Sequence, residues 1–324
     1  MLQNDCYNLY ISSCCEDGGI YHALLMSDGN IKILEKTNAN RPMYTILHEN
    51  RLYALLREPF ESSNDSGLIS YEMGDNGVLG EAGEIISTKG KIACHLCAAE
   101  NDIYAVNYTS GSVIFFPDKL EIHQGKGINP KRQECAHTHC AILSPDRKYV
   151  LITDLGTDKI YVYDRKLQLV STVDAIKGSG PRHIIFSDDG KYVFCINELS
   201  STLALYKYNN GKLEYVEEKS ALPQGYTGES IAAAIRCIGN TIYVSNRGHD
   251  SIASFKFENE HLELQKIFSC GGKSPRDFDV IGNYIVCTNE KSDSVTVLDC
   301  DGELVHVCDD IKAPLCVTFF KTEE

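Results

Sequence analysis

The chain contains no tryptophan, and none of its apolar runs approaches the roughly 18 residues that a membrane-spanning helix requires. Amphipathic stretches of helical length are scarce, whereas glycine is frequent and tyrosine, valine and isoleucine are spread evenly. This distribution predicts an all-β protein without a transmembrane helix. The missing tryptophan also disfavours a β-propeller of the WD-repeat type, because the repeats of such proteins carry a Trp-Asp dipeptide.

Positive charge is scarce as well. The 324 residues include 31 Lys and Arg against 45 Asp and Glu, a formal net charge of -14. Nucleic acids and anionic membrane surfaces need a basic face, so neither is predicted as a partner. A small anion would need a local cluster of arginines. The N-terminus has neither the basic start nor the apolar core of a signal peptide, so export is not predicted. Without export, the fourteen cysteines are expected to be reduced thiols in the cytoplasm.

Several chemical motifs are absent or incomplete. No Gly-x-Ser-x-Gly elbow occurs, which disfavours a serine hydrolase. The segment 271–274 resembles the tail of a phosphate-binding loop, but Ile267 stands where that loop needs its first glycine. Cys94 and Cys97 have the spacing of a zinc knuckle, yet no second pair follows at a fitting distance. The sequence therefore predicts two buried structural cysteines there, and neither a metal nor a cofactor.

A unit of strand, polar tip and strand recurs along the chain. Its clearest tips lie 47, 43, 49 and 43 positions apart and begin at Asn107, Asp154, Asn197, Asn246 and Asn289. Weaker copies near Arg57 and Cys14 make seven units of about 46 residues, each with four short apolar runs, which is typical of propeller blades. The apolar runs 7–12 and 315–320 are candidates for one shared blade, because propellers usually close by pairing their two ends.

We therefore predict an all-β fold, a seven-bladed β-propeller with four antiparallel strands per blade, as a single domain over residues 1–324. A β-sandwich or two separate β-domains is the alternative. The even period disfavours both, and no linker of distinct composition divides the chain.

Histidine, arginine and glutamate side chains stand at equivalent points of successive repeats. Equivalent points of a propeller lie around one ring, so these side chains are predicted to converge on one mouth of the central channel. The residues concerned are His137, His139, Arg182, His183, Glu198, Arg247, His249 and Arg276.

The strings HTHCAILSPDRKYVLITDLGTDKIYVYD, GPRHIIFSDDGKYVFCINEL, SNRGHDSIASF and SPRDFDVIGNYIVCTNEKSDSVTV carry these residues. Together they resemble the lactonase family of seven-bladed propellers, which includes propeller-type 6-phosphogluconolactonases and, more distantly, 3-carboxy-cis,cis-muconate lactonizing enzymes. The resemblance covers roughly residues 90–300 and weakens before residue 60. One departure is Arg147, which replaces the usual glycine of a Ser-Pro-Asp-Gly-Lys turn. The resemblance implies a metal-independent lactonase.

By the same resemblance, the catalytic histidine falls on His139, its acidic partner on Glu198, and the anion-binding arginines on Arg182 and Arg247. Arg276 fits a further Pro-Arg motif. The chemistry agrees, because imidazole titrates near neutral pH and suits the activation of water. Arginine suits both a developing oxyanion and a phosphate or carboxylate.

Substrate-binding roles are further predicted for His183, Asn197, Asn246, His249 and Arg276. Structural alternatives stand beside these roles. Asparagine suits turn tips for backbone reasons alone, and a histidine at a strand start, including His137 and His183, often braces the fold. Arg182 and Arg247 would form inter-blade salt bridges with Glu198 or Asp250 in the structural interpretation.

The leading hypothesis is hydrolysis of 6-phospho-D-glucono-1,5-lactone to 6-phosphogluconate, a step of the pentose phosphate pathway, with a small anionic sugar lactone as the partner. One alternative keeps the chemistry and changes the substrate to a muconate-type or other lactone, since the same arginines accept carboxylates. The other is a non-catalytic scaffold that binds proteins, because propellers host many functions. The mostly small, polar tips, without aromatic and arginine anchors, disfavour it.

Overall fold

A computed structural model describes residues 6–320. The first five residues of the N-terminal segment, for which no signal peptide was predicted, lie outside this range. Within this range, 29 β-strands and one short 3₁₀ helix, Glu290–Ser292, form the regular structure. No helix in the described part of the chain is long and apolar enough to span a membrane. The strands form seven antiparallel sheets in two compact units, residues 6–87 with 268–320 and residues 88–267. The prediction of one domain stays a prediction.

The first unit contains three sheets. Its strands are β1 (Tyr7–Ser13), β2 (Gly19–Leu25), β3 (Ile31–Thr37), β4 (Pro42–His48), β5 (Arg51–Leu56), β6 (Gly67–Met73), β7 (Leu79–Ala82), β8 (Ile86–Ser87), β25 (Pro275–Ile281), β26 (Tyr284–Asn289), β27 (Ser294–Asp299), β28 (Leu304–Cys308) and β29 (Pro314–Phe320). The sheet orders are β29-β1-β2-β3, β4-β5-β6-β7 with β8 added beside β6, and β25-β26-β27-β28. The pairing of β1 with β29 confirms the blade predicted to combine runs 7–12 and 315–320.

The second unit contains four sheets of four strands each. Its strands are β9 (Ala93–Ala99), β10 (Asp102–Asn107), β11 (Ser112–Phe115), β12 (Lys119–Ile122), β13 (Thr138–Leu143), β14 (Tyr149–Asp154), β15 (Lys159–Asp164), β16 (Leu169–Asp174), β17 (Pro181–Phe186), β18 (Tyr192–Asn197), β19 (Thr202–Asn209), β20 (Lys212–Ser220), β21 (Ile231–Ile238), β22 (Thr241–Arg247), β23 (Ser251–Glu258) and β24 (His261–Ser269). Strands pair in sequence order within each sheet. The first strands of successive sheets, β9, β13, β17 and β21, lie side by side.

Apolar side chains fill the space between neighbouring sheets of each unit. Phe194 and Leu205 of one sheet, for example, pack with Ile242 and Phe255 of the next, and all four are fully buried. A sheet cannot cover both of its faces, so each apolar layer stabilises two sheets at once. The cysteines within strands join these layers as small apolar groups, as Cys195 does, and all fourteen are free thiols.

Asp154, the polar tip of the second sheet in this unit, is a fully buried brace. Its Oδ1 accepts the backbone N–H groups of His137, Gly156 and Thr157 at 2.8, 3.0 and 3.1 Å. Its Oδ2 accepts Nδ1–H of His123 at 2.8 Å. One carboxylate thus fixes the turn after β14 and the segment that leads into β13, because each of these donors would be unsatisfied without it.

Replacing Asp154 tests this brace. We expect Asp154→Ala to lower the free energy of unfolding by about 3 kcal/mol or more, because several buried donors lose their acceptor together. Asp164→Ala is the matched control, since Asp164 accepts two N–H groups in a more exposed turn. Urea denaturation of the two variants gives the comparison, and equal losses would contradict the role of Asp154.

Candidate active site

The first strands of the second unit carry a β-bulge near their starts. In β13, Thr138 and Cys140 pair with consecutive residues of β14, which leaves His139 as the extra residue. The same irregularity in β17 leaves Arg182 as the extra residue, and in β9 it leaves Cys94. A bulge turns its extra side chain out of the normal alternation of a strand. Three neighbouring sheets therefore redirect one side chain each at the same end.

These bulges bring the predicted residues together around Glu198, which directly follows β18. Its Oε2 lies 2.9 Å from Nε of Arg182 and 2.9 Å from Nη2 of Arg247. Nε2 of His139 lies 3.9 Å from the same oxygen. The second oxygen, Oε1, accepts Nη2–H of Arg132. Glu198 and its three guanidinium partners are called the arginine cage below.

The arginine cage holds Glu198 ionised although the residue is only 3 % exposed. Burial alone would raise the pKa of its carboxyl, but Arg247, Arg182, His139 and Arg132 outweigh burial and hold the pKa well below its usual range. Three guanidinium charges against one carboxylate leave a local excess of two positive charges. This excess lies on a chain of net charge -14.

Backbone carbonyls complete the cage. Nη1–H of Arg182 donates to the carbonyl of Ala233 at 2.6 Å, and Nη2–H of Arg247 donates to that of Ala232 at 2.9 Å. Both carbonyls belong to the irregular start of β21. Of the inter-blade salt bridges with Glu198 given as the structural alternative, that of Arg247 is present, whereas Arg182 pairs with Glu198 within one sheet. Both pairs also concentrate the positive charge that an anion site requires.

Three imidazoles form a row beside the cage. The ring of His183 meets that of His139 edge-on at 5.4 Å and that of His95 at 5.1 Å between centroids. Burial, followed by the nearby Arg182 charge, lowers the pKa of His183 well below its ordinary value. Burial and the charges of Arg236 and Arg182 lower the pKa of His95 to about 3. Both rings are therefore neutral near pH 7, and Nη1 of Arg182 lies 3.1 Å from Nε2 of His183.

Sequence reasoning missed Arg132 and Tyr108. Arg132 lies in the loop 123–137 before β13, and its Nη2 also contacts the hydroxyl of Tyr108 at 3.3 Å. The Arg132 side chain is 35 % exposed, in contrast to 3 % for Arg182 and 10 % for Arg247. Arg132 is thus the solvent-facing member of the cage. The only available signal was the consecutive pair Lys131-Arg132, two cations outside the repeat pattern of an acidic chain.

The other predicted binding residues have different surroundings. Asn197 and Asn246 are fully buried, and their amides donate within the fold, that of Asn246 to the carbonyl of Ala221. This favours the backbone role over contact with a sugar. Nδ1 of His249 lies 2.7 Å from Oγ of Ser251, and its ring packs against Tyr226.

Arg276 belongs to the first unit. It is the extra residue of the bulge in β25, and its Nη1 lies 3.3 Å from Oε2 of Glu290. Its predicted binding role stays a prediction. His137, for which a bracing role was the alternative, stacks on Tyr108 with 4.5 Å between the ring centroids.

Comparison with known proteins identifies the family. The profile described as Lactonase, 7-bladed beta-propeller, matches residues 8–319. The chain belongs to this family of lactone-hydrolysing enzymes, so the predicted fold class and the predicted enzyme class are confirmed. An uncharacterized protein of Staphylococcus aureus strain USA300 is 33% identical over an alignment of 304 residues, and the match covers 85% of this chain and 88% of that protein.

Solved structures agree on the fold. A protein from Lactobacillus plantarum superposes with a TM-score of 0.88 and 27% identity over 98% of this chain and 100% of its own. The periplasmic gluconolactonase PpgL of Pseudomonas aeruginosa gives a TM-score of 0.89 at 23% identity, over 98% of this chain and 100% of its own. A protein of Bacteroides fragilis that is provisionally described as a 6-phosphogluconolactonase superposes with a TM-score of 0.88 at 23% identity, over 99% of each chain.

The low pKa of His95 predicts that acid destabilises the protein. Below its ordinary pKa of 6.5, His95 takes up a proton in the unfolded state that the folded state refuses until about pH 3. The free energy of unfolding should therefore fall on acidification, by up to about 1.4 kcal/mol per pH unit for this group.

We expect His95→Gln to remove this contribution to the slope. Urea denaturation between pH 7 and pH 5 would measure it, with His261→Gln as the control at an exposed histidine. An unchanged slope in His95→Gln would show that His95 accepts its proton equally in both states.

Proposed function

We propose that the protein hydrolyses a phosphorylated sugar lactone, 6-phospho-D-glucono-1,5-lactone, to 6-phosphogluconate. Membership of the lactonase family supplies the reaction class. The arginine cage, with two excess positive charges on an acidic chain, is the observation that supports an anionic substrate. One structural relative is a provisional 6-phosphogluconolactonase and another is a gluconolactonase, which agrees with a gluconolactone ring.

Arg132 is the proposed contact for the phosphate. Its bonds to Glu198 and Tyr108 both use Nη2. Nη1, which neither contact uses, then serves as the donor for an incoming phosphate through a charge-assisted hydrogen bond from this partly exposed guanidinium. Arg182 and Arg247 are nearly buried, and in this proposal they supply the positive field behind that contact and stabilise the oxyanion.

His139 is the proposed general base. It takes a proton from a water molecule as the water oxygen bonds to the lactone carbonyl carbon, and the arginines stabilise the resulting oxyanion. The bond from this carbon to the ring oxygen then breaks, and the imidazolium returns the proton to the ring oxygen, which becomes a hydroxyl. One water is thus added across the ester bond, and His139 ends neutral.

Glu198 has an electrostatic part in this scheme. Its depressed pKa keeps it ionised, so it does not carry the proton itself. At 3.9 Å from Nε2 of His139, its charge stabilises the imidazolium that forms during the attack.

The substrate would place the reaction in the pentose phosphate pathway. Fourteen free thiols agree with the reducing cytoplasm as its location.

The first test is hydrolysis of freshly prepared 6-phosphogluconolactone, followed by the formation of 6-phosphogluconate. We expect a rate clearly above spontaneous hydrolysis, and a loss of about 100-fold or more in kcat for His139→Ala if it is the base. His261→Ala, at an exposed histidine of the same unit, is the control. A wild-type rate equal to the spontaneous rate would reject the proposal, and an unchanged rate in His139→Ala would remove His139 from this role.

A second test asks whether the cage recognises phosphate. We expect Arg132→Ala to raise KM for 6-phosphogluconolactone by about tenfold or more, the equivalent of about 1.4 kcal/mol, while KM for unphosphorylated gluconolactone changes little. The exposed neighbour provides the control Lys131→Ala. Equal changes for both lactones would exclude phosphate recognition by Arg132. Faster turnover of a carboxylated lactone would favour the muconate-type alternative, and no turnover of any lactone would favour the scaffold.

A further inference from the structure

We propose that Glu134, Cys135 and His137 form a binding site for one Zn²⁺ ion. They lie in the loop that precedes β13, and one ligand atom from each lies within 4.8 Å of the others. Nε2 of His137 is 3.2 Å from Oε1 of Glu134 and 3.7 Å from Sγ of Cys135. A carboxylate oxygen, a thiol sulfur and an imidazole nitrogen are three donor types that zinc accepts.

Two of the three separations match those of a tetrahedral zinc site. With zinc–sulfur bonds of about 2.3 Å and zinc–nitrogen or zinc–oxygen bonds of about 2.0–2.1 Å, neighbouring ligand atoms are about 3.6 Å apart for sulfur and nitrogen and about 3.3 Å apart for oxygen and nitrogen. The two distances from His137 Nε2 differ from these values by only about 0.1 Å. The third separation, between the Glu134 oxygen and Sγ of Cys135, is within 4.8 Å, and these two exposed side chains would move together to about 3.6 Å around an ion.

His137 is held in the orientation that a metal ligand needs. Its Nδ1–H donates to the carbonyl of Tyr108 at 3.1 Å, and its ring stacks on the Tyr108 ring. Its backbone N–H is fixed by Asp154. A histidine whose Nδ1–H binds a carbonyl presents Nε2 as the ligand atom, which is the usual arrangement around protein-bound metals.

The backbone next to His137 is also fixed. A Cβ on Gly156 would lie 1.9 Å from the carbonyl oxygen of Cys135, so residue 135 packs directly against the turn after β14. The side chains of Glu134 and Cys135 are exposed and give an ion access from solvent. On binding, the Cys135 thiol releases its proton to solvent, so that a carboxylate and a thiolate together balance the two charges of the ion, and water can occupy the fourth position.

An ion pair between His137 and Glu134 alone would explain only part of this arrangement. Contact between a protonated His137 and Glu134 would account for the distance of 3.2 Å, but it would not require a thiol beside the same ring nitrogen. Thiolate is a soft ligand that favours zinc over magnesium or calcium. The proposal does not rest on the lactonase assay, because its test measures metal binding.

The test is titration of the full chain, with its thiols kept reduced, by Co²⁺ as a coloured substitute for zinc. We expect a thiolate-to-cobalt charge-transfer band that saturates at one equivalent and disappears when Zn²⁺ is added. Cys135→Ser should abolish this band and weaken zinc binding by about 100-fold or more. Losing a ligand weakens metal binding at least as much as losing a residue that hydrogen-bonds to a ligand. Glu134→Gln should weaken binding while the band remains at saturation.

The matched control is Cys300→Ser, which removes an exposed thiol of the first unit and should leave the titration unchanged. Thermal unfolding of each variant without metal verifies that the fold is intact. A missing band in the wild type, an undiminished band in Cys135→Ser, or its loss in Cys300→Ser would overturn the proposal.

Discussion

The buried charge of Glu198 is the constraint on which the candidate site depends. A carboxylate removed from water is tolerated only when cations and hydrogen-bond donors surround it. Glu198 obtains them from a loop residue, Arg132, from a bulge residue, Arg182, and from the end of a strand, Arg247. The dependence is mutual, because guanidinium groups brought this close would repel one another without the carboxylate between them.

The cage depends in turn on an irregularity repeated in successive sheets. A regular strand would alternate its side chains between the two apolar layers and could not turn His139 or Arg182 toward Glu198. In each bulge, the extra residue has no partner in the neighbouring strand, and its side chain can therefore face the site. The fold thus combines a regular core with one recurring exception at the strand start.

The blades were predictable because their signals are local. Each hairpin has its own turn residues and apolar runs, and their spacing gave seven units of four strands, which the sheets and the family confirm. The positions of His139, Arg182 and Glu198 in equivalent repeats also indicated a shared region. The bulges left no recognisable residue pattern. Arg132 was missed because it lies in the loop 123–137, outside the repeats, and only three-dimensional contacts bring it to Glu198.

The sheet β29-β1-β2-β3 has a consequence for how the protein matures in the cell. Strand β1 bonds to β2 on one side and to β29 on the other. While the ribosome is still adding residues, β1 has an open edge, and such edges can recruit foreign strands. The four sheets of the second unit do not face this delay, since the four strands of each sheet follow one another in the sequence. Strand β1 therefore gains its second partner only after residues 314–320 have been synthesised, and until then this edge is the one exposed to foreign strands.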